Sequence, residues 1–440
     1  MSLFTVWQVA ARQGDKGCAS LLARYRRNAA DREQLARSVV VSRFSPLVRQ
    51  LLLCSFMLSI SRALVSPLLV LTLGRQLQLG AQQIGLLLGA VLVSATLSGL
   101  YAGYLVDRSD RRRLLQGALL GVAAGFALLP GSHQLAMAGV ALLLVELAFV
   151  LFGIAIKALL SDLLPPAERS RAFSLRYTLA NVGYAIGPLL GSWLASARPA
   201  WAFVLAAVLA VAALPLLRQV PRGHGGTHGV RPPQFSATLQ LLRRDRTLVL
   251  FTIGSLLACA VHGRFSDSLS LYLLQRHGDA EVLHWMSALI TSNALTVVLC
   301  QYWLGRLLRP HNLLRWIMLA SLLLAGGLAG FALSPSLWQW CGWMVLFTLG
   351  EILLVPAEYL YIDAIAPEHL KGSYYGAQNL AQLGAAGSPM LAGLLITAMP
   401  GNSVLWSMLT LTLLGALFVW QADRTSRAPG RAGQRQALSP

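Results

Sequence analysis

The chain has 440 residues, 56% of them hydrophobic and 12% charged, with a mean hydropathy of +0.60; these proportions exclude a water-soluble globular domain. A formal net charge of +19 would fit a polyanion partner. The arginines, however, gather in short segments between apolar runs and form no single basic face, which argues for membrane orientation and against nucleic acid.

Residues 1–47 carry many arginines and no long apolar stretch. They read as a cytoplasmic tail, either a surface-lying amphipathic helix or the product of a misassigned start, and they lack a cleavable signal pattern. Apolar runs of about 20 residues, enough to cross a hydrocarbon core, then place six spans at 48–73, 82–106, 112–130, 135–160, 171–195 and 200–217. Segment 218–246 is rich in Pro and Gly and reads as a flexible linker. His224 and His228 within it read as loop residues and not as metal ligands. Six further spans follow at 247–274, 283–304, 313–333, 337–361, 372–398 and 403–421, and 422–440 forms a second tail. The runs are continuous and lack period-two alternation, so the expected fold is an all-α membrane protein of twelve transmembrane helices, arranged as bundles 48–217 and 247–421.

Segments on the side of the termini hold 29 Lys and Arg, the opposite side holds three (Arg75, Arg198, Arg276), and four fall inside spans (Arg62, Lys157, Arg176, Arg264). Both termini are therefore expected in the cytoplasm. Trp193, Trp201, Trp285, Trp303, Trp316, Trp338, Trp406 and Trp420 lie near predicted span ends and read as interfacial anchors. Cys18, Cys54, Cys259, Cys300 and Cys341 show no paired spacing, so packing is expected of them and neither disulfides nor metal binding. No phosphate-binding loop, nucleophile constellation or cofactor motif is present in the sequence, and no enzyme, metal or cofactor is expected.

A shift of 201 residues lays Asp162 on Asp363, Pro166 on Pro367, Gly183 on Gly384 and Pro188 on Pro389, an internal repeat of the kind found in transporters that rock two bundles about a midplane site. In the turn after span 2, Asp107 and Arg111 or Arg112 are placed to pair, with Asp162 at the end of span 4 nearby. Such a cluster would latch that end in one state and release it in the other; alternatively the arginines only set topology. Gly183, Gly187 and Gly191 recur every fourth residue, so one face of span 5 admits close approach, and Pro188 invites a bend.

A charge at the bilayer centre costs about 2.5–3.5 kcal/mol. Arg62, Glu146, Arg264, Asp267 and Glu351 are therefore candidate substrate or coupling groups. Arg264 and Asp267 share a helix face and can pair with each other. Glu146 has no nearby partner on its own helix, and Glu146 and Glu351 are the candidate proton carriers; each could instead be a neutral, hydrogen-bonded packing group. Lys157, Arg176 and Glu358 lie about one turn inside the membrane boundary and are expected to snorkel in structural or gating roles.

The loop residues Gly103, Leu105, Asp107, Arg108, Arg111, Arg112 and Leu115, and the span-5 residues Gly183, Gly187, Pro188 and Gly191, resemble two signature motifs of the major facilitator superfamily, in its twelve-span drug/proton antiporter branch. Asp110 stands where the loop motif has its second glycine, and Ser192 where the span-5 motif ends in glycine. The stretch Gly350 to Pro367 is similar to the YdeE-like group of exporters of dipeptides and other small molecules. The resemblance implies two pseudo-symmetric six-helix bundles whose spans 1, 4, 7 and 10 line a cavity. It also implies a cytoplasmic gate of Gly103, Asp107, Arg108, Arg111, Arg112, Asp162 and Asp363, and a monomer in a bacterial inner membrane that exports small molecules in exchange for protons. Import or facilitated diffusion of a sugar or peptide is the alternative, and a membrane sensor a third. The family's span-4 arginine is absent, since Phe149 stands four residues before Gly153; Arg62 or Arg264 would have to replace it.

Overall fold

A computed structural model describes residues 44–79, 81–198, 200–221, 233–277, 279–305, 307–308, 312–398 and 401–427. The tail expectations for 1–43 and 428–440, Cys18, His224 and His228 lie outside the described residues. The described residues from Gln50 onward form one compact unit. All regular structure among the described residues is helical.

The first half of the chain supplies α1 (Pro46–Leu77), α2 (Ala81–Arg108), α3 (Arg111–Leu128), α4 (Leu135–Leu163), α5 (Pro166–Ala197) and α6 (Ala200–Ala212). After the linker come α7 (Phe235–Arg244), α8 (Arg246–His262), α9 (Phe265–Leu274), α10 (Asp279–Gly305), α11 (Leu313–Leu333), α12 (Leu337–Ile365), α13 (Lys371–Gln378), α14 (Gln382–Ala398) and α15 (Ser403–Arg427). Helices α1–α6, α8–α9, α10, α11, α12, α13–α14 and α15 coincide with the twelve predicted spans.

By length and composition eight of the described helices can cross a membrane, or nine if α7 and α8, bent by 79°, form one span. Three of the other predicted spans are polar or broken for physical reasons. Helix α5 carries Glu168, Arg169, Arg171 and Arg176, span 7 breaks between α8 and α9 at Gly263–Arg264, and span 11 breaks at Asn379–Ala381. Such segments hold polar groups that other helices must satisfy.

Local chemistry explains several boundaries. Asp110, the residue that departs from the glycine of the loop motif, is the N-cap of α3: its side chain accepts from the amides of Arg112 (2.9 Å) and Arg113 (3.3 Å). Asp245 caps α8 in the same way through Thr247 and Leu248. The linker is thus helical over α7, where Thr238 and Leu242 are buried, and not flexible throughout as its composition suggested. Among the tryptophans, Trp193, Trp201, Trp303, Trp338 and Trp406 are exposed, but Trp285 is buried in an aromatic cluster and is no surface anchor.

The repeat has a structural counterpart. A Cβ on Gly183 would touch Ser59 of α1, and one on Gly384 would touch the backbone of Leu256 and Ala260 in α8. Ala260 is Ser59 shifted by the same 201 residues, so span 5 packs on span 1 as span 11 packs on span 7.

Candidate functional site

The mid-membrane charges divide by how they are satisfied. Arg62 of α1 donates from one nitrogen to both carboxylate oxygens of Glu146 on α4, at 2.8 and 2.9 Å, with both side chains partly buried. Its guanidinium also lies 4.8 Å from the centroid of the Phe149 ring. Arg62 of span 1 thus brings its guanidinium beside Phe149 of span 4. Glu146, lacking a partner on its own helix, finds it across the bundle.

Glu351 of α12 is held by neutral donors. The Tyr177 hydroxyl of α5 donates to it at 2.6 Å, and Asn293 Nδ2 of α10 approaches at 3.4 Å while donating to Thr348 at 2.9 Å. Tyr177 comes from the first half of the chain and Asn293 from the second, so this carboxylate spans the division between them. Arg264 and Asp267 pair with each other at 3.2 Å, both about half exposed, at the break between α8 and α9.

Lys157 and Glu358 do not snorkel. Both are buried, and the Lys157 ammonium sits 4.7 Å from the Tyr359 ring centroid and 5.0 Å from that of Tyr375. A lysine of the first half is thus boxed by two aromatic faces of the second. Arg176 donates to Ser55 Oγ at 3.1 Å. Nearness to a loop does not bring water to Lys157, because Tyr359 of α12 and Tyr375 of α13 cover this layer.

At the end bearing the Arg-rich loop, the basic end, the expected charged residues do cluster, but with different partners. Asp107 does not pair with Arg111 or Arg112. Its Oδ1 accepts from the amide of Gly372 (2.6 Å), and its Oδ2 accepts from the amide (2.7 Å) and hydroxyl (2.6 Å) of Ser373. The carboxylate therefore sits on the N-terminus of α13, where unpaired amides and the helix dipole favour an anion. Arg111 is drawn to Asp162 and to the Val106 carbonyl. Arg108 donates to the Tyr104 hydroxyl at 2.7 Å, and the Arg112 backbone amide serves the α3 cap.

Two basic residues that the sequence reading did not single out complete the cluster. Arg169 of α5 donates to Asp363 at 2.5 Å, and Lys371 lies 3.6 Å from Asp162 and 3.8 Å from Asp363 while donating to Ser161 at 2.7 Å. Ser161 also donates to Asp363. The repeat-related aspartates thus share one lysine. A signal was present: each is followed by a basic residue, Arg169 seven positions after Asp162 and Lys371 eight after Asp363.

Glycines allow these contacts. A Cβ on Gly103 would lie 2.4 Å from the Gly372 carbonyl oxygen, and one on Gly376 would lie 2.5 Å from that of Gly99, so α2 and α13 meet backbone to backbone. Gly187 and Gly191 do the same for α5 against α1, where added Cβ atoms would lie 2.3 Å from Ala63 Cβ and 2.1 Å from the Leu64 oxygen. Pro188 sits inside the unbroken α5.

A family model described as Major Facilitator Superfamily matches residues 51–386. The chain belongs to the Major Facilitator Superfamily. It is a multi-pass secondary transporter for a small-molecule substrate and not an enzyme. Curated relatives include an uncharacterized transporter of the superfamily, YdeE, from Escherichia coli K12, 32% identical over 83% of this chain and 92% of its own length. A Na(+), Li(+), K(+)/H(+) antiporter of Planococcus maritimus is 25% identical over 74% of this chain and 83% of the relative. The multidrug resistance protein MdtH of Escherichia coli O9:H4 is 26% identical over 72% and 78%. Among solved structures, the superfamily transporter FucP in an outward conformation matches with a TM-score of 0.69 at 14% identity, covering 86% of this chain and 99% of FucP. That likeness concerns the fold alone.

Proposed function

We propose that this transporter exports small organic molecules across a bacterial inner membrane in exchange for protons, with both termini and the basic end facing the cytoplasm. Residues 48–217 and 247–421 are the bundles that rock, joined by 218–246. The structure then corresponds to a state shut on the cytoplasmic side, with Asp107 on α13 and the Asp162–Lys371–Asp363 cluster as the gate. Names of relatives that include an antiporter and a multidrug resistance protein support antiport and efflux, as does the charge asymmetry between the two sides.

The observation that carries the coupling is Glu351, a mid-membrane carboxylate held by the neutral donors Tyr177 and Asn293 from opposite halves. Protonation changes what it can accept from Tyr177, so proton binding alters a contact between the halves. Glu146 is matched by Arg62 and serves as a fixed charge lining the path. Of the two candidate proton carriers, Glu351 is the one this reading retains. In inverted vesicles or proteoliposomes, a panel of dyes, peptides and sugars is expected to yield substrates whose accumulation needs a pH gradient. Glu351→Gln is expected to abolish gradient-driven accumulation while leaving substrate-for-substrate exchange. Full gradient-driven accumulation by Glu351→Gln would overturn the coupling assignment.

A further inference from the structure

A cavity of about 410 Å³ opens in the second half, at the end opposite the basic end, lined by Tyr272, Arg276, His277, Trp285, Ser334 and Trp340 among others. Its volume lies within the range of small-molecule sites. Its position follows from topology: α8 starts at the basic end, where Tyr374 donates to its cap Asp245 at 2.7 Å, so α9 finishes at the other end. We propose that this cavity binds a planar aromatic carboxylate, with Arg276 as the anion partner and the indoles and phenol as walls.

The walls are buried and fixed. Tyr272 and Trp340 lie nearly parallel with centroids 6.0 Å apart, and Trp285 stands edge-on to Trp340 at 5.3 Å. Trp340 Nε1 donates to the Ser334 carbonyl at 2.9 Å, and its ring is packed by Tyr272, Trp285 and Phe331, so it forms a fixed apolar wall whose polar atom is already satisfied. The His277 ring lies 4.8 Å from Trp285, and its Nδ1 is 2.9 Å from Glu281 Oε1.

Arg276 is the exposed member. Its guanidinium lies 4.7 Å over the Tyr272 ring and, among the described residues, donates once, to Asn402 Oδ1 at 2.6 Å; the same oxygen accepts from the Tyr272 hydroxyl at 2.7 Å. Asn402 is anchored in turn through Nδ2 to the Ala332 carbonyl at 2.5 Å. One of five guanidinium donors is thereby engaged, which orients the fork and leaves donors for a carboxylate. Arg276 is also one of only three basic residues assigned by sequence to this side, where arginine works against topology. A strut for Tyr272 and Asn402 needs no cation, whereas an anion site does.

The test uses 2-naphthoate with the purified full chain, read by calorimetry and by indole fluorescence, with 2-naphthamide as the uncharged analogue. Saturable 1:1 binding of the acid is expected. Arg276→Gln, at an exposed side chain, is expected to weaken it at least tenfold with an unchanged melting temperature. Arg276→Lys should recover part of the affinity, and Arg75→Gln, at the same end, none of the loss. The amide is expected to bind weakly to both wild type and Arg276→Gln. Equal affinity for acid and amide, equal affinity in wild type and Arg276→Gln, or non-saturable partitioning would each overturn the proposal. The readout is binding and includes Glu351→Gln as a variant expected to bind normally, so a failure of the transport reading leaves this result interpretable.

Discussion

Replacing Asp107 by Asn is expected to loosen the basic end, and the size of the effect follows from what the carboxylate holds. Three donors from Gly372 and Ser373 converge on its two oxygens at 2.6–2.7 Å. An amide keeps one oxygen, so either the Gly372 amide or the Ser373 pair faces an NH2 group. In the better orientation, with the NH2 group toward Gly372, the loss is one charge-assisted hydrogen bond, about 1.5–3 kcal/mol, together with the charge–dipole attraction at α13, about 0.3–1 kcal/mol. A net figure of about 2–3 kcal/mol raises the open-to-closed ratio about 30- to 160-fold. Ala377, one helical turn after Ser373 on α13, is buried, so the rate at which an impermeant maleimide modifies an Ala377→Cys variant measures the open fraction while the closed state dominates. Modification at that peptide, followed by mass spectrometry, should accelerate within that range when Asp107→Asn is added. An acceleration below threefold in well-inserted protein would refute the claim that the anion on α13 holds the end shut.

Gly103→Ala is expected to produce the same acceleration, because its Cβ meets the Gly372 backbone at 2.4 Å and only separation of α2 from α13 relieves the clash. Gly191→Ala should instead lower the melting temperature without selectively opening the basic end, since its Cβ strikes the Leu64 carbonyl within one bundle at 2.1 Å; Gly153→Ala, with nothing within 4 Å, serves as the neutral control. Arg62→Gln and Glu146→Gln should each destabilise by about 1–3 kcal/mol, the cost of leaving a partly buried partner unpaired, and the double variant should recover part of that loss in a denaturation-based mutant cycle. Lys371→Met leaves Asp162 and Asp363 without their shared cation and should speed modification of the Ala377→Cys variant about tenfold or more, as expected for a shift of at least about 1.4 kcal/mol.

The spans were legible because hydrophobic length is a local property, and the glycine faces because every fourth residue shares a face. Charges inside spans also announced themselves by their cost, which is how Arg62, Glu146 and Glu351 were found. Their partners were not legible. Asp107 meets amides 265 residues away, and backbone amides carry no signature in a sequence. Tyr177 and Asn293 are neutral and common in such helices, so nothing marked them as the shell around Glu351. Arg169 and Lys371 looked like topology signals, and only their convergence on Asp363 separates them from the other loop cations. The surroundings of Lys157 were not legible either, since its aromatic box comes from α12 and α13.

The short helix α7 places the Phe235 ring edge-on to Tyr101 and Tyr104 of α2, at 5.3 and 5.5 Å, while the Asp245 that follows it is gripped by Tyr374. The tether is therefore fastened to both bodies it joins. A chain severed between Gly223 and Arg231 and supplied as two polypeptides should still assemble, because the second fragment carries its own docking plug for the first. Conversely, exchanging Phe235–Arg244 for a flexible spacer of equal length would keep the connection and lose the plug, making the connector a working part whose identity matters more than its reach.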